Sequence, residues 1–504
     1  MERYLSATYR RQYIALALSI LVVMAMPAMV LAVSSTTPLT RISTTASGAE
    51  AIGGASLKTA VSADGRYVAF RSDATNLIPG DTNGVSDIFV KDTKTGAIVC
   101  ASTDSGQTLG NGSSIGPSIS ADGQFVVFQS MATNLVPGDT NGVNDVFIKN
   151  LTTHVTTRVS TDSSNAQAIG ASGGAPVTSA DGRYVAIVST ATNLVPGDTN
   201  GANDAFVKDM QTGAMTRVST DSSGTQANGS VSSTTIAISA DGRYVAFNST
   251  GTNLVPDDTN GFNDVFLKDM TTNVTTRVST DSAGVQGNEA VTIAGGGGLT
   301  ISGDGRYVAF ISAATNMITD DTNGVLDVFI KDLTTGITTL ASSDSNGVQG
   351  DGATTAQPPA FSYDGRYIIF ASEATNLVPG DTNAFADTFM KDTLTGAVAR
   401  ISTYSTGSQI NAATTGYSLS GDGQYVVFTS AVGDLVPNDT NGVTDVFYRV
   451  GPFWVEPPSE VVIPGAPNTG LPPARSNYLL EGITFVIIMG LSLQGIRFVR
   501  RRWV

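Results

Sequence analysis

Between residues 38 and 450 the chain is written in short apolar runs separated by clusters of Asp, Asn, Gly, Ser and Thr. One stretch shows the grammar. Thr235–Ser239 leads into the turn Ala240-Asp241-Gly242, and Arg243–Ser249 follows. A loop around Asp258-Thr259-Asn260-Gly261 precedes Asp264–Lys268, and a turn near Thr272-Asn273 precedes Thr275–Ser279. Asp-Gly between apolar runs is a strong hairpin signal, so four antiparallel strands are predicted. The second strand (Tyr244-Val245-Ala246-Phe247) is apolar on both faces, as expected of a strand enclosed between neighbouring sheets. The fourth (Thr275-Thr276-Arg277-Val278-Ser279) alternates and is polar, which suits an outer edge.

This unit recurs. The string Ser-x-Asp-Gly-x-aromatic places its Asp at 64, 122, 181, 241, 304, 364 and 422. Seven four-stranded modules of near-constant spacing describe an all-β, seven-bladed β-propeller over residues 38–450. The ends of the array predict how the ring closes. The last unit stops at Asp445-Val446-Phe447-Tyr448 and runs into Gly451-Pro452, so its fourth strand is missing. Leu39-Thr40-Arg41-Ile42-Ser43 is a copy of that strand standing alone before unit one. Pairing the two completes blade seven and leaves no unsatisfied sheet edge between them. With Ser62-Ala63-Asp64-Gly65, Ser302-Gly303 and Ser362-Tyr363 at the turn, the units resemble TolB-type, WD-like propeller repeats, whose turn reads Ser-Pro-Asp-Gly. The resemblance covers roughly residues 38–450; it implies the fold and is silent on activity.

Both ends carry address signals. Residues 1–32 combine Arg3, Arg10 and Arg11 with an apolar run from Tyr13 and the small-residue exit Val30-Leu31-Ala32. A signal peptide cleaved after Ala32 is expected, a retained anchor being the alternative. Residues 451–478 form a Pro-rich stalk, and residues 479–504 a hydrophobic membrane segment with a basic tail. The uncharged run Ile483–Ile496 spans roughly 21 Å as a helix, short of a ~30 Å hydrocarbon core unless Leu479 and Leu480 extend it. Arg497, Arg500, Arg501 and Arg502 should hold the C-terminus in the cytoplasm before any processing. Pro467-Asn468-Thr469-Gly470, followed by this apolar stretch and basic tail, resembles the sorting signal of sortase-anchored cell-wall proteins, with Ala466 where that family usually has Leu. The resemblance implies cleavage between Thr469 and Gly470 by a sortase; a plain single-span anchor is the other reading. Either way the repeats are exported and held at the cell surface.

Composition narrows the chemistry. A net charge of −15 argues against a nucleic-acid partner and favours cations. One Cys (Cys100) and one His (His154) exclude an intrachain disulfide and a Cys/His zinc cluster. Cys100 reads as inert packing and His154 as a turn residue. The most chemical feature is Asp-x-Asn-x-x-x-Asp before the third strand. It comprises Asp81, Asn83 and Asp87 in unit one, Asp139, Asn141 and Asp145 in unit two, and Asp198, Asn200 and Asp204 in unit three. Asp258, Asn260 and Asp264 follow in unit four, Asp321, Asn323 and Asp327 in unit five, and Asp439, Asn441 and Asp445 in unit seven. Unit six has Asp381, Asn383 and Asp387, but with Ala384 replacing the turn Gly. Alternate oxygen ligands and a turn Gly fit a calcium loop. The set resembles a shortened calcium loop of integrin-type propellers, lacking the central Asp. The competing reading is turn stabilisation by Asx hydrogen bonds.

Two functions remain. The first is a non-catalytic binding or adhesion scaffold for a protein, peptide or glycan, with calcium as candidate cofactor. The second is a glycosidase or lyase using acidic residues at the ring's mouth. Near-identity of the units favours the first. The one visible break in pattern lies between units four and five, with Glu289 and Gly295–Gly298.

Overall fold

The computed structural model describes residues 33–34, 37–291 and 298–453. Their strands build seven blades in the expected order, the first strand of each nearest the axis. Blade one is Ser56–Val61, Tyr67–Ser72, Asp87–Asp92 and Ile98–Cys100. Blade four is Val231–Ile238, Tyr244–Ser249, Asp264–Asp269 and Thr275–Arg277. The first strands of consecutive blades touch all the way round, Thr415–Leu419 of blade seven meeting Ser56–Val61 of blade one.

The ring closes as the sequence predicts. Thr40–Arg41 joins blade seven antiparallel to Asp445–Val450, with Thr40 opposite Tyr448 and Arg41 opposite Phe447. The Ile42 N–H donates to the Val446 carbonyl at 2.8 Å. The fourth strands are shorter than expected because a serine leaves the ladder: in blade four the Val265 N–H donates to Ser279 Oγ instead of a backbone carbonyl. One strand was not foreseen. Val33–Ser34 runs parallel to Val398–Arg400 and makes blade six five-stranded.

Burial explains the double apolarity of the middle strands. In blade one, Val68, Ala69 and Phe70 are fully buried, and Phe70 lies directly opposite Phe89 with ring centroids 6.0 Å apart. One side of each middle pair packs on the blade before and the other on the blade after. The cluster holding Ile42, Val68, Phe89, Val427 and Val446 joins the last blade to the first. Each buried Phe or Val contributes about 1.5–3 kcal/mol.

The Ser-x-Asp-Gly turn locks one blade to the next. Ser62 Oγ donates to Asp64 Oδ1 at 2.7 Å and accepts the Tyr67 N–H at 2.9 Å, sealing the hairpin. Gly65 has φ +72°, and a Cβ there would fall 2.1 Å from the Tyr425 ring of blade seven. The same Gly-on-aromatic contact recurs at Gly123 on Tyr67, Gly182 on Phe125 and every later blade. The motif's Gly and its aromatic are thus two halves of one inter-blade contact.

Candidate functional site

The seven Asp-x-Asn-x-x-x-Asp loops connect the second and third strands, and in most blades their side chains are tied to the third and fourth strands. The last Asp opens the third strand and is wholly buried; in blade two Asp145 Oδ1 accepts Ser160 Oγ at 2.5 Å, tying the fourth strand to the third. The equivalent bond in blade seven, Ser43 to Asp445 at 2.5 Å, crosses the closure.

The Asn spans the loop. Asn141 Nδ2 donates to Asp145 Oδ2 at 3.0 Å and to the Ala168 carbonyl, while its Oδ1 accepts the Val143 N–H. Asn200 Nδ2 donates to the Ala227 carbonyl at 3.1 Å, and its Oδ1 accepts the Ala202 N–H. Asn260 donates to Asp264 and the Gly287 carbonyl, both at 3.1 Å. Asn323 donates to Asp327 at 3.1 Å and to the Gly350 carbonyl at 2.9 Å, with its Oδ1 on the Val325 N–H. Asn441 bonds Asp445 at 2.9 Å and reaches across the closure to the Ala51 carbonyl at 3.0 Å. This is the Asx-turn chemistry that competed with calcium in the sequence reading. The amide oxygens of Asn83, Asn141, Asn200, Asn260, Asn323 and Asn441, the candidate calcium ligands, each accept the N–H two residues on.

The first Asp meets a cation, and the cation is arginine. Arg158, on the fourth strand, places Nη2 3.4 Å from Asp139 Oδ2 and Nε 3.7 Å from Asp145 Oδ2. Arg217 does the same for Asp198 and Asp204, Arg277 for Asp258 and Asp264, and Arg400 for Asp381 and Asp387. In blade seven Arg41 approaches Asp439 at 3.0 Å and Asp445 at 3.6 Å. A glutamine from the turn after the fourth strand completes the cage: Gln167 Nε2 donates to Asp139 Oδ1 and Asp145 Oδ2 at 2.8 and 3.0 Å. Burial raises the last Asp of several loops, and Asp387 is pushed up to about 6 despite Arg400. Among the described residues, no group of three or more His, Cys, Asp and Glu side chains could hold a metal ion. In the candidate loops of blades two, three, four and seven, and in the loop of blade six, a guanidinium lies between the two aspartates.

Two blades depart. Blade five has Leu340 at the arginine position but keeps Gln349, which donates to Asp321 and Asp327 at 2.7 and 2.8 Å. Blade one loses both groups: Cys100 stands at the arginine position and Leu109 at the glutamine position. Asp81 and Asp87 remain. Asp87 is held by Ser102 Oγ at 2.6 Å and Asn83 Nδ2 at 2.7 Å, and burial pushes its carboxyl up to about 6. Asp81 is 7% exposed, and its Oδ1 is buried with no hydrogen-bond partner. Burial likewise raises the Cys100 thiol to about 12, in keeping with inert packing. A cleft of 560 Å³ opens beside these residues, lined among others by Asn83, Cys100, Leu109 and His154 of blade two.

Other sequence candidates are not brought together. Asp257 adopts φ +59° at a turn while its neighbour Asp258 faces Arg277. Asp320 and Glu289 are exposed, and Gly295–Gly297 lie outside the described residues, as do Ala32, Thr469 and Gly470. Among the described residues, the first strands, which surround the axis, carry a single charged residue, Lys58. A further ring escaped the sequence reading altogether. The penultimate position of each third strand is a buried base whose donors go to the preceding blade's backbone: Lys149 Nζ to the Thr103 and Asp104 carbonyls, Lys268 to Thr220 and Asp221. Lys91 binds the Thr44 and Thr45 carbonyls, again across the closure.

No protein-family model matches the chain, and no curated protein matches it. Solved structures do. An oligogalacturonate lyase in complex with manganese is 15% identical over 84% of this chain and 95% of its own, with a TM-score of 0.50. An oligogalacturonate lyase from Vibrio parahaemolyticus is 13% identical over 84% and 96%, TM-score 0.48. TolB from Acinetobacter baumannii is 12% identical over 80% and 65%, TM-score 0.36. At these identities the likeness speaks for the propeller fold alone.

Proposed function

We propose that the chain is a non-catalytic binding scaffold, exported and displayed at the cell surface. The observation that carries this reading is how the acidic residues are used. Outside blade one the repeated aspartates lie in blade-locking cages, matched by Arg or Gln together with Asn and Ser, while the described first strands around the axis offer no carboxylate. Glycoside hydrolysis in its usual form needs two carboxyl groups flanking open space. Calcium is not needed to explain the loops in which arginine supplies the positive charge.

Export and anchoring rest on the sequence: the basic, apolar and small-residue order of residues 1–32, the Pro-rich stalk, and the Thr469-Gly470 signal before the apolar, arginine-terminated tail. No helix among the described residues is long and apolar enough to cross a membrane; the expected segments, 1–32 and 479–504, lie outside them.

The test is a glycan and peptide array probed with the full-length chain, run beside an incubation with oligogalacturonides, with and without manganese. Retention of a ligand without product supports the scaffold. Unsaturated uronide products would replace it with the lyase reading, whose prompt is the fold shared with the manganese-bound oligogalacturonate lyase.

A further inference from the structure

Blade one keeps an acidic cage and lacks the groups that fill it elsewhere. Opposite Phe147, Phe206, Phe266 and Phe389 stand arginines; opposite Phe89, at the same register, stands Cys100. The bridge position after the fourth strand is glutamine in blades two to six, and Leu109 in blade one. The carboxylates are nevertheless retained, and Asp81 Oδ1 is buried without a partner. Removing the donors while keeping a buried acceptor leaves a desolvated charge uncompensated, a state that is strongly unfavourable in proteins generally. A cation from outside would relieve it.

We infer that the blade-one cleft receives a guanidinium group, the arginine side chain of a partner polypeptide, in the place where five other blades put their own arginine. The bound state has five internal templates. In them a guanidinium sits between the first and last aspartates of the loop, at 3.0–3.8 Å from each. A planar fork reaches two carboxylates at once; an ammonium is a point charge, and the buried lysines of the third strands serve backbone carbonyls and threonine hydroxyls instead. The walls suit the rest of the side chain. Ile78, Pro79, Leu109 and Leu151 line the 560 Å³ cleft and can cover an arginine's methylene stem; Asp81 is not itself in the lining but stands between Gly80 and Thr82, which are, so the head must pass them to reach its carboxylate. The net charge of −15 draws a basic segment toward the surface. Blade five is intermediate: it has no arginine but keeps Gln349 as a donor to both aspartates, although Asp321 Oδ2, like Asp439 Oδ1 of blade seven, is also buried without a hydrogen-bond partner. Blade one alone has neither the arginine nor a side-chain amide or carboxylate at the bridge position.

This inference rests on the scaffold reading only in taking the occupant from outside the chain. The experiment compares Nα-acetyl-arginine amide with Nα-acetyl-citrulline amide, the same shape without charge, on the full-length chain. It uses the native sequence, Asp81→Asn, and the double substitution Cys100→Arg/Leu109→Gln that copies the other blades. Saturable binding of the arginine amide is expected, weakened about tenfold or more by Asp81→Asn. Binding should be absent in the double variant, whose thermal midpoint should exceed the native one because the cage is filled from within. Equal binding of the citrulline amide, equal binding to Asp81→Asn, no saturable binding to the native chain, or a double variant that is less stable than the native chain would each overturn the inference. None of those results touches the scaffold reading, which falls only to product formation in the oligogalacturonide incubation.

Discussion

Replacing Gly65 by alanine perturbs the ring at its seam, and Gly84 supplies a matched control. Both glycines sit in the left-handed region, at φ +72° and +68°. An L-residue there costs about 1–2 kcal/mol. Around Gly84 nothing lies within 4 Å of a new Cβ, so that cost is the whole effect. At Gly65 the new Cβ would meet the Tyr425 ring at 2.1, 2.6 and 2.8 Å. The ring cannot easily step aside, because it is stacked on Tyr448 with centroids 5.1 Å apart. Overpacking of this kind adds about 1–3 kcal/mol. Gly65→Ala should therefore destabilise by about 2–5 kcal/mol and Gly84→Ala by about 1–2 kcal/mol. Far-UV circular dichroism along a denaturant series on the full-length chain reads both. Tyr425→Ala in the Gly65→Ala background should remove the excess, giving a coupling of about 1–3 kcal/mol. Equal losses at the two glycines, or additive effects of the Gly65 and Tyr425 substitutions, would show that blade seven does not lie on blade one.

Arg277→Met should destabilise by about 3–5 kcal/mol, since the carboxyl groups of Asp258 and Asp264 would be left in a buried cage without a cation; a neutral effect in thermal unfolding would mean the guanidinium is dispensable. Chelator should leave the thermal midpoint unchanged, whereas a fall of several degrees under EDTA would return a divalent cation to the loops. Stability should fall as pH rises from about 4.5 to 7. Burial holds Asp87 and Asp387 at about 6, above the unfolded value near 3.8, so their contribution is complete below the lower figure and lost through the higher. Arg183 and Arg306 hold Asp209 and Asp332 down at about 2, so their contribution fades only in stronger acid. A midpoint that climbs steadily from pH 4.5 to 7 would contradict the assignment.

The ring was legible because its signals are local and repeated. Asp-Gly turns fix hairpins, doubly apolar strands demand neighbours on both sides, and an orphan strand must find an orphan edge. The filling of the loops was harder to read. Arg158 lies 13 residues after Asp145 and Gln167 lies 22 after it, so neither belongs to the motif in which the aspartates appear. The recurrence of arginine at the third residue of four fourth strands, and in the leading strand Thr40–Arg41, was the available clue. It made sense only once register put that residue beside the loop. Sequence drew attention to the connection carrying Glu289, where spacing lengthens. The chemical break is in blade one, where spacing is unchanged and two ordinary residues, Cys100 and Leu109, replace donors. Val33–Ser34 could not be read at all, because a two-residue parallel strand has no turn signal and almost no pattern.

Closure by the leading strand is open to a direct chemical measurement. Thr40 and Tyr448 are antiparallel partners, and the Cα separation of such partners falls within the range a disulfide accepts. In a Cys100→Ser background, Thr40→Cys and Tyr448→Cys should oxidise within one folded chain, and digestion should release a linked pair of peptides from the two ends of the repeat region. Failure to link in the folded protein, or links formed only between separate chains, would contradict a ring closed by its own first strand.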